Sequence, residues 1–127
     1  MTILDTDYLV ALLRGDADAA AQADKIENPK TTIINAFELY YGADRSTKPE
    51  KSHMEVNSLL RSMDVLGFEM PAVLTCAKIQ AELMNAGNTV NILDVLIAGI
   101  VMVNNEEFLT RNVNHFNRIN GLNWKEW

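Results

Sequence analysis

Short strand-like runs alternating with helical segments restrict this chain to a narrow set of folds. Met1 to Leu4 reads as a buried strand. Thr31 to Ile34, Asp64 to Phe68 and Glu107 to Thr110 have the same character, and Gly121 to Trp127 supplies a weaker terminal strand. Between them lie helical patterns. Asp5 or Thr6 caps a helix carrying Tyr8, Leu9, Leu12 and Leu13 at helical spacing, and Gly15 ends it. An Ala-rich helix spans Asp16 to Ile26 and breaks at Asn28-Pro29. Asn35 caps a helix running to about Ser46, Pro49 opens one through Leu59, Leu60 and Met63, and Pro71 opens another that Gly87 stops. Ile92 to Val103 is apolar on nearly every side, as expected of a helix buried in the middle of a domain. Strands alternating with helices imply an α/β fold with a central parallel sheet and helices on both faces.

The length of 127 residues fits one domain, 1–127, with a single substantial core. A net charge of −6 with 48% hydrophobic residues describes an acidic globule, so any nucleic-acid contact must be local. Cys76, the one cysteine, excludes a disulfide framework and a cysteine-based zinc site, and reads as a small buried apolar residue. No basic and apolar leader opens the chain, and the longest uncharged apolar run, Val95 to Val103, is far short of the roughly 20 residues a membrane helix needs. A cytoplasmic protein without a membrane partner is the expectation.

Three carboxylates stand as lone charges in apolar surroundings. Asp5, with Asp7 close behind, follows Met-Thr-Ile-Leu. Glu38 lies within Thr31-Thr-Ile-Ile-Asn-Ala-Phe-Glu-Leu-Tyr-Tyr-Gly42, and Asp94 is the sole charge from Ile92 to Val103. An ionised carboxylate drawn toward a core costs several kcal/mol unless something pairs with it. No basic residue or histidine lies within these runs, so the partner comes from elsewhere, and a divalent cation shared by several carboxylates is one solution. Helix capping accounts for Asp5 or Asp94 taken singly. In parallel sheets ligands collect at the carboxyl ends of the strands, near a switch in strand order. Asp5 follows the first strand there, Asn112 follows the late strand, and Glu38 and Asp94 fall in the first turns of helices returning over the same edge.

These residues also resemble a known family. Asp5-Thr-Asp7 after the first strand, Phe37-Glu-Leu-Tyr-Tyr-Gly42, Leu93-Asp-Val-Leu-Ile-Ala-Gly99 and Leu109-Thr-Arg-Asn-Val-Asn-His-Phe116, in that order, closely resemble PIN-domain nucleases, as does the ending Ile119-Asn-Gly-Leu-Asn-Trp124. More narrowly they resemble the VapC-type toxins of toxin-antitoxin pairs. The resemblance implies an α/β fold, a Mg2+ or Mn2+ site, endoribonuclease activity, a homodimer and a cognate antitoxin. It implies an acidic cluster of Asp5, Glu38 and Asp94, with Asn112 in the fourth metal-ligating position and Thr110 orienting that end through its hydroxyl. His115 stands where many relatives carry an acid.

On this reading a metal-activated water attacks the phosphodiester and leaves a 5′-phosphate and a 3′-hydroxyl. An acidic protein needs basic side chains to hold the flanks of a polyanion; Arg14 and Arg111, then Arg45 and Lys48, are nearest the expected rim. His53 and His115 would suit a metal-free ribonuclease, but His53 sits in a polar helix and His115 reads as a surface loop residue. Tyr40, Tyr41, Leu59, Leu60 and Met63 offer an apolar face for a dimer or an antitoxin helix. The alternative from a different class is a PIN-like module that binds RNA or protein with little catalysis.

Overall fold

The computed structural model describes all 127 residues. In chain order the elements are β1 (Thr2–Leu4), α1 (Thr6–Leu13), α2 (Ala17–Ala23), β2 (Lys30–Thr32), α3 (Ile33–Asp44), α4 (Pro49–Arg61) and β3 (Asp64–Leu66). They continue with α5 (Met70–Asn85), α6 (Ile92–Val103), β4 (Glu107–Thr110), α7 (Val113–Phe116) and β5 (Trp124–Glu126). The five strands form one sheet in the order β3-β2-β1-β4-β5, and every pairing is parallel. The expected α/β architecture is therefore present, with β1 at the centre.

Alternation along the central strands divides the core in two. Successive side chains of a strand point to opposite faces. Ile3 and Phe108 accordingly join Cys76, Ile79, Val95, Ile97, Val101 and Phe116 on the α5–α6 side. Leu4 and Leu109 join Tyr8, Leu9, Ala19, Leu39, Ala43 and Val56 on the side of α1 to α4. Helix α6 carries seven buried residues of its twelve, which is why its sequence shows no polar face. It lies against α5 so closely that Gly99 has no room for a side chain: a Cβ there would stand 2.1 Å from Cys76 Sγ. No helix is long and apolar enough to cross a membrane.

Several boundaries differ from the sequence-based expectation. The strand expected over 31–34 ends at Thr32, and Thr32 rather than Asn35 caps α3. Asn35 instead occupies the third helical position and closes a capping box, taking the Thr32 N–H on Oδ1 at 3.3 Å while Thr32 Oγ1 accepts from the Asn35 N–H at 3.2 Å. Glu38 consequently lies in the second turn of α3, not the first. The Ala-rich helix is shorter than expected, Ala17–Ala23: Asp16 caps its start through a bond from Ala19 N–H, and the chain leaves the helix at Asp24 instead of continuing to Ile26. Tyr40, Leu59, Leu60 and Met63 pack against the core. The exposed apolar row on this side is Ile33, Phe37 and Tyr41 along α3.

Candidate active site

The parallel register brings the end of β1 beside the end of β4, where the strand order changes direction: Leu4 pairs with Leu109, and the Asp5 N–H donates to the Leu109 carbonyl at 3.0 Å. Asp5 is the N-cap of α1, its Oδ1 accepting from the Thr6 N–H at 2.8 Å. Helix capping is thus part of its role. The same carboxylate also accepts from Thr110 Oγ1 at 2.6 Å and from Asn35 Nδ2 at 3.0 Å, both buried groups on other elements. A cap alone does not need them.

Asn35 extends the network sideways. Its Nδ2 also donates to Thr6 Oγ1 at 2.9 Å, and Thr6 Oγ1 donates to Glu38 Oε1 at 2.7 Å. Asp5 and Glu38 are thereby tied through Asn35 and Thr6 without any basic residue between them. On the far side Asp94, in the first turn of α6, is buried and faces His115 of α7, whose Nδ1 lies 2.8 Å from Oδ2. The same nitrogen lies 2.9 Å from Asn112 Nδ2, so the imidazole either donates to Asp94 or accepts from Asn112, according to where its proton sits. His115 is therefore not the detached surface residue expected from its sequence surroundings. The turn of α7 carries it to Asp94.

Asp5, Glu38, Asp94 and Asn112 line one open cavity of about 740 Å³, together with Thr6, Asp7, Asp16, Arg14, Arg111 and Trp127. Thr110 lies beneath, buried: its hydroxyl donates to Asp5 Oδ2 at 2.6 Å and accepts from the Asn112 backbone N–H at 2.9 Å, so it touches both residues that line the cavity on this side. Arg14 and Arg111 stand at this rim as expected. Arg45 and Lys48 do not line it; Arg45 lies over the ring of Tyr41. His53 pairs with Asp44 on the exposed side of α4, away from the carboxylates.

The electrostatics are those of a site short of positive charge. Burial pushes the Asp5 carboxyl from 3.8 up to about 7; the neighbouring Asp7 and Glu38 charges add to the rise, while the Thr110 hydroxyl and the Thr6 N–H oppose it. Glu38 is raised as well, first by burial and then by Asp94 and Asp7, with the Thr6 hydroxyl pulling the other way. The metal-capable donors facing the cavity are carboxylate and amide oxygens, with the His115 imidazole behind Asp94 and Asn112. Such a set suits a hard divalent cation, and the surplus negative charge gives the cation its reason to bind. As the side chains stand, both Asp5 oxygens, Glu38 Oε1 and Asp94 Oδ2 are hydrogen-bonded, and no three acidic or histidine groups are arranged to ligate one ion.

Sequence reasoning missed Thr6, Asn35 and Trp127. Thr6 and Asn35 carried a faint signal, being polar residues beside Asp5 and one helical turn before Glu38. Trp127 carried none: its indole N–H reaches Asp7 Oδ1 at 3.3 Å across 120 residues of sequence.

The comparisons with known proteins agree with this architecture. A model described as the PIN domain matches residues 2–122. A tRNA(fMet)-specific endonuclease VapC of Shigella flexneri is 27% identical, over 98% of this chain and 96% of that protein. Ribonuclease VapC1 of Rickettsia felis is 30% identical, over 94% of this chain and 91% of that protein. The solved structure of DNA-bound VapBC from Salmonella typhimurium superposes with a TM-score of 0.92 at 26% identity, covering 99% of this chain and 97% of that one.

Proposed function

The chain belongs to the PIN-domain family, among its VapC ribonucleases, and from that premise we propose that Asp5, Glu38, Asp94 and Asn112 form its hydrolytic centre for RNA. The protein is an endoribonuclease, the toxin of a toxin-antitoxin pair, with RNA as substrate and a cognate antitoxin as partner. The observation that carries the site assignment is Asp5. It is a buried carboxylate with no cationic partner, placed where the strand order switches and tied through Asn35 and Thr6 to Glu38.

The residues fit a divalent cation by donor chemistry, and Mg2+ or Mn2+ suits oxygen ligands of this kind. Asp5, Glu38 and Asp94, with the Asn112 amide oxygen, would hold it. When bound, such an ion supplies the positive charge these carboxylates need to ionise together and polarises water for attack on phosphorus. The protein does the rest through orientation. Thr110 fixes Asp5 from below, Thr6 fixes Glu38, and His115 restrains Asp94 or Asn112 according to where its proton sits. Arg14 and Arg111 hold the phosphates on either side of the reacting one. The family match over residues 2–122 supports reading 1–127 as one nuclease domain, and action on RNA in the cytoplasm belongs to the same reading. A homodimer belongs to the same reading, supported by the uncovered row Ile33, Phe37 and Tyr41.

The test is cleavage of labelled total RNA and of a tRNA pool with Mg2+ or Mn2+, with EDTA, and with Asp5→Asn, mapping the product ends. Metal-dependent cuts leaving 5′-phosphates and absent in the variant are expected. Absence of cleavage by the folded, metal-loaded protein would leave the RNA- or protein-binding module as the better description.

A further inference from the structure

The cavity rim contains an arrangement that the hydrolytic residues do not explain. Strand β5 pairs with β4 in the register Thr110 to Glu126, so the next residues, Arg111 and Trp127, emerge side by side just beyond the carboxyl ends of the strands. Trp127 packs against Tyr8, with ring centroids 4.6 Å apart and the rings tilted by 55°, and Arg111 lies over its ring, with Cζ 3.5 Å from the indole centroid. Asp7 fastens both partners: Oδ1 accepts from the indole N–H at 3.3 Å, and Oδ2 accepts from the Arg111 backbone N–H at 2.9 Å. Arg111 Nε donates to the Trp127 main-chain oxygen at 2.8 Å. These contacts consume one edge of the guanidinium and leave its terminal amino groups uncommitted beside the cavity.

We propose that Trp127 is a positioning residue for RNA binding, holding the Arg111 guanidinium flat at the rim so that its terminal amino groups meet a backbone phosphate of the bound strand. The inference rests on the RNA-binding role of this cavity given above. An exposed arginine searches many rotamers, and each phosphate bond it forms must overcome that freedom; a planar guanidinium stacked on indole has already lost most of it. Asp7 belongs to the same device, because it neutralises none of the uncommitted amino groups and instead anchors the indole and the main chain of Arg111. Trp127 also stands on Tyr8, whose hydroxyl donates to the Ala19 carbonyl inside the core, so the platform is built on a buried element and does not swing with the rim.

The test uses the full chain in an Asp5→Asn background and a labelled single-stranded RNA oligonucleotide, with binding titrated over a range of salt. Trp127→Leu keeps an apolar side chain against Tyr8 but no π face, and Trp127→Phe keeps the π face but no N–H. Trp127→Leu should weaken binding by about three- to tenfold and lower the salt slope by about 0.7, the loss of one phosphate contact to a single strand. Trp127→Phe should stay within about twofold of the parent, because only the Asp7 bond is lost. Arg111→Ala should produce the same loss as Trp127→Leu, and the double variant no more than either alone. In the cleaving protein, Trp127→Leu should raise KM and leave kcat nearly unchanged. An unchanged salt slope, additive losses with Arg111→Ala, or a fall in kcat alone would overturn the proposal. RNA left unbound by the parent would do the same. The parent protein's own metal-dependent cleavage separately decides the nuclease reading, so the two failures are distinguishable.

Discussion

Asp5 keeps its proton to about pH 7 because burial outweighs the three hydrogen bonds its carboxylate accepts and the nearby acids add to the burial. In the unfolded chain it ionises near 3.8. Between those two values the folded protein binds more protons than the unfolded one, so stability falls as pH rises through the window and is level above it, a loss of about 4 kcal/mol at 1.36 kcal/mol per unit. Asp5→Asn, which cannot ionise, should therefore melt above the natural protein at pH 8 in EDTA, with the gap closing toward pH 4. It should also lack cleavage. Mg2+ at pH 8 should raise the melting temperature of the natural protein and leave that of the variant nearly unchanged. A variant less stable than its parent at pH 8 would show that the Asp5 charge is not the source of the penalty. Thr6 offers a second residue-scale test, since its hydroxyl accepts from Asn35 and donates to Glu38. Thr6→Val should cost about tenfold in cleavage, in the range found when groups that orient metal-binding side chains are removed. Thr6→Ser should restore most of it, and equal activity in all three proteins would remove Thr6 from the orienting network.

At the scale of elements, the close approach of α5 and α6 depends on the absence of a single carbon. A Cβ on Gly99 would lie 2.1 Å from Cys76 Sγ and 3.2 Å from the Ala72 carbonyl oxygen, so Gly99→Ala must push the helices apart or displace the sulfur. We expect a loss of about 1 to 3 kcal/mol, the usual cost of overpacking a filled core. Cys76→Ala in the same chain should recover much of it by removing the sulfur. Urea unfolding of the four proteins of this cycle measures the coupling, and independent losses at the two positions would exclude the steric cause. This contact was not legible in the sequence: it needs the crossing of two helices that nothing in either segment announces. The helices themselves were legible, because α6 shows no polar face and Pro71 and Gly87 bracket α5 closely. The start of α3 was not, since Thr31 to Ile34 is β-branched throughout and suits a strand as well as a helical first turn. Hydrogen bonds between Thr32 and Asn35 decide that boundary, and the same Asn35 then reaches Asp5. Lone charges in apolar runs marked Asp5, Glu38 and Asp94 as candidates. The residues that restrain them, Thr6, Asn35 and His115, acquire that role only when α1, α3, α6 and α7 meet.

Over the whole molecule the net charge is −6, while the proposed substrate is a polyanion. Overall repulsion at long range therefore opposes association, and attraction must come from a few arginines close to the cavity. Two line it: Arg14, just past α1, and Arg111, just past β4. They reach the cavity from different elements, as required to grip a strand on both sides of a phosphate lying over the carboxylates. Arg14 is exposed and has no aromatic partner, unlike Arg111, so it contributes charge more than fixed geometry. Arg14→Ala, measured in the Asp5→Asn background, should weaken binding to single-stranded RNA by about three- to tenfold at moderate salt and reduce the slope of log K against log salt by about 0.7. The difference from the parent should shrink as salt rises, because screening removes the same contact from the parent. An unchanged slope would mean that Arg14 is a solvated surface charge and that the strand runs along another side of the cavity.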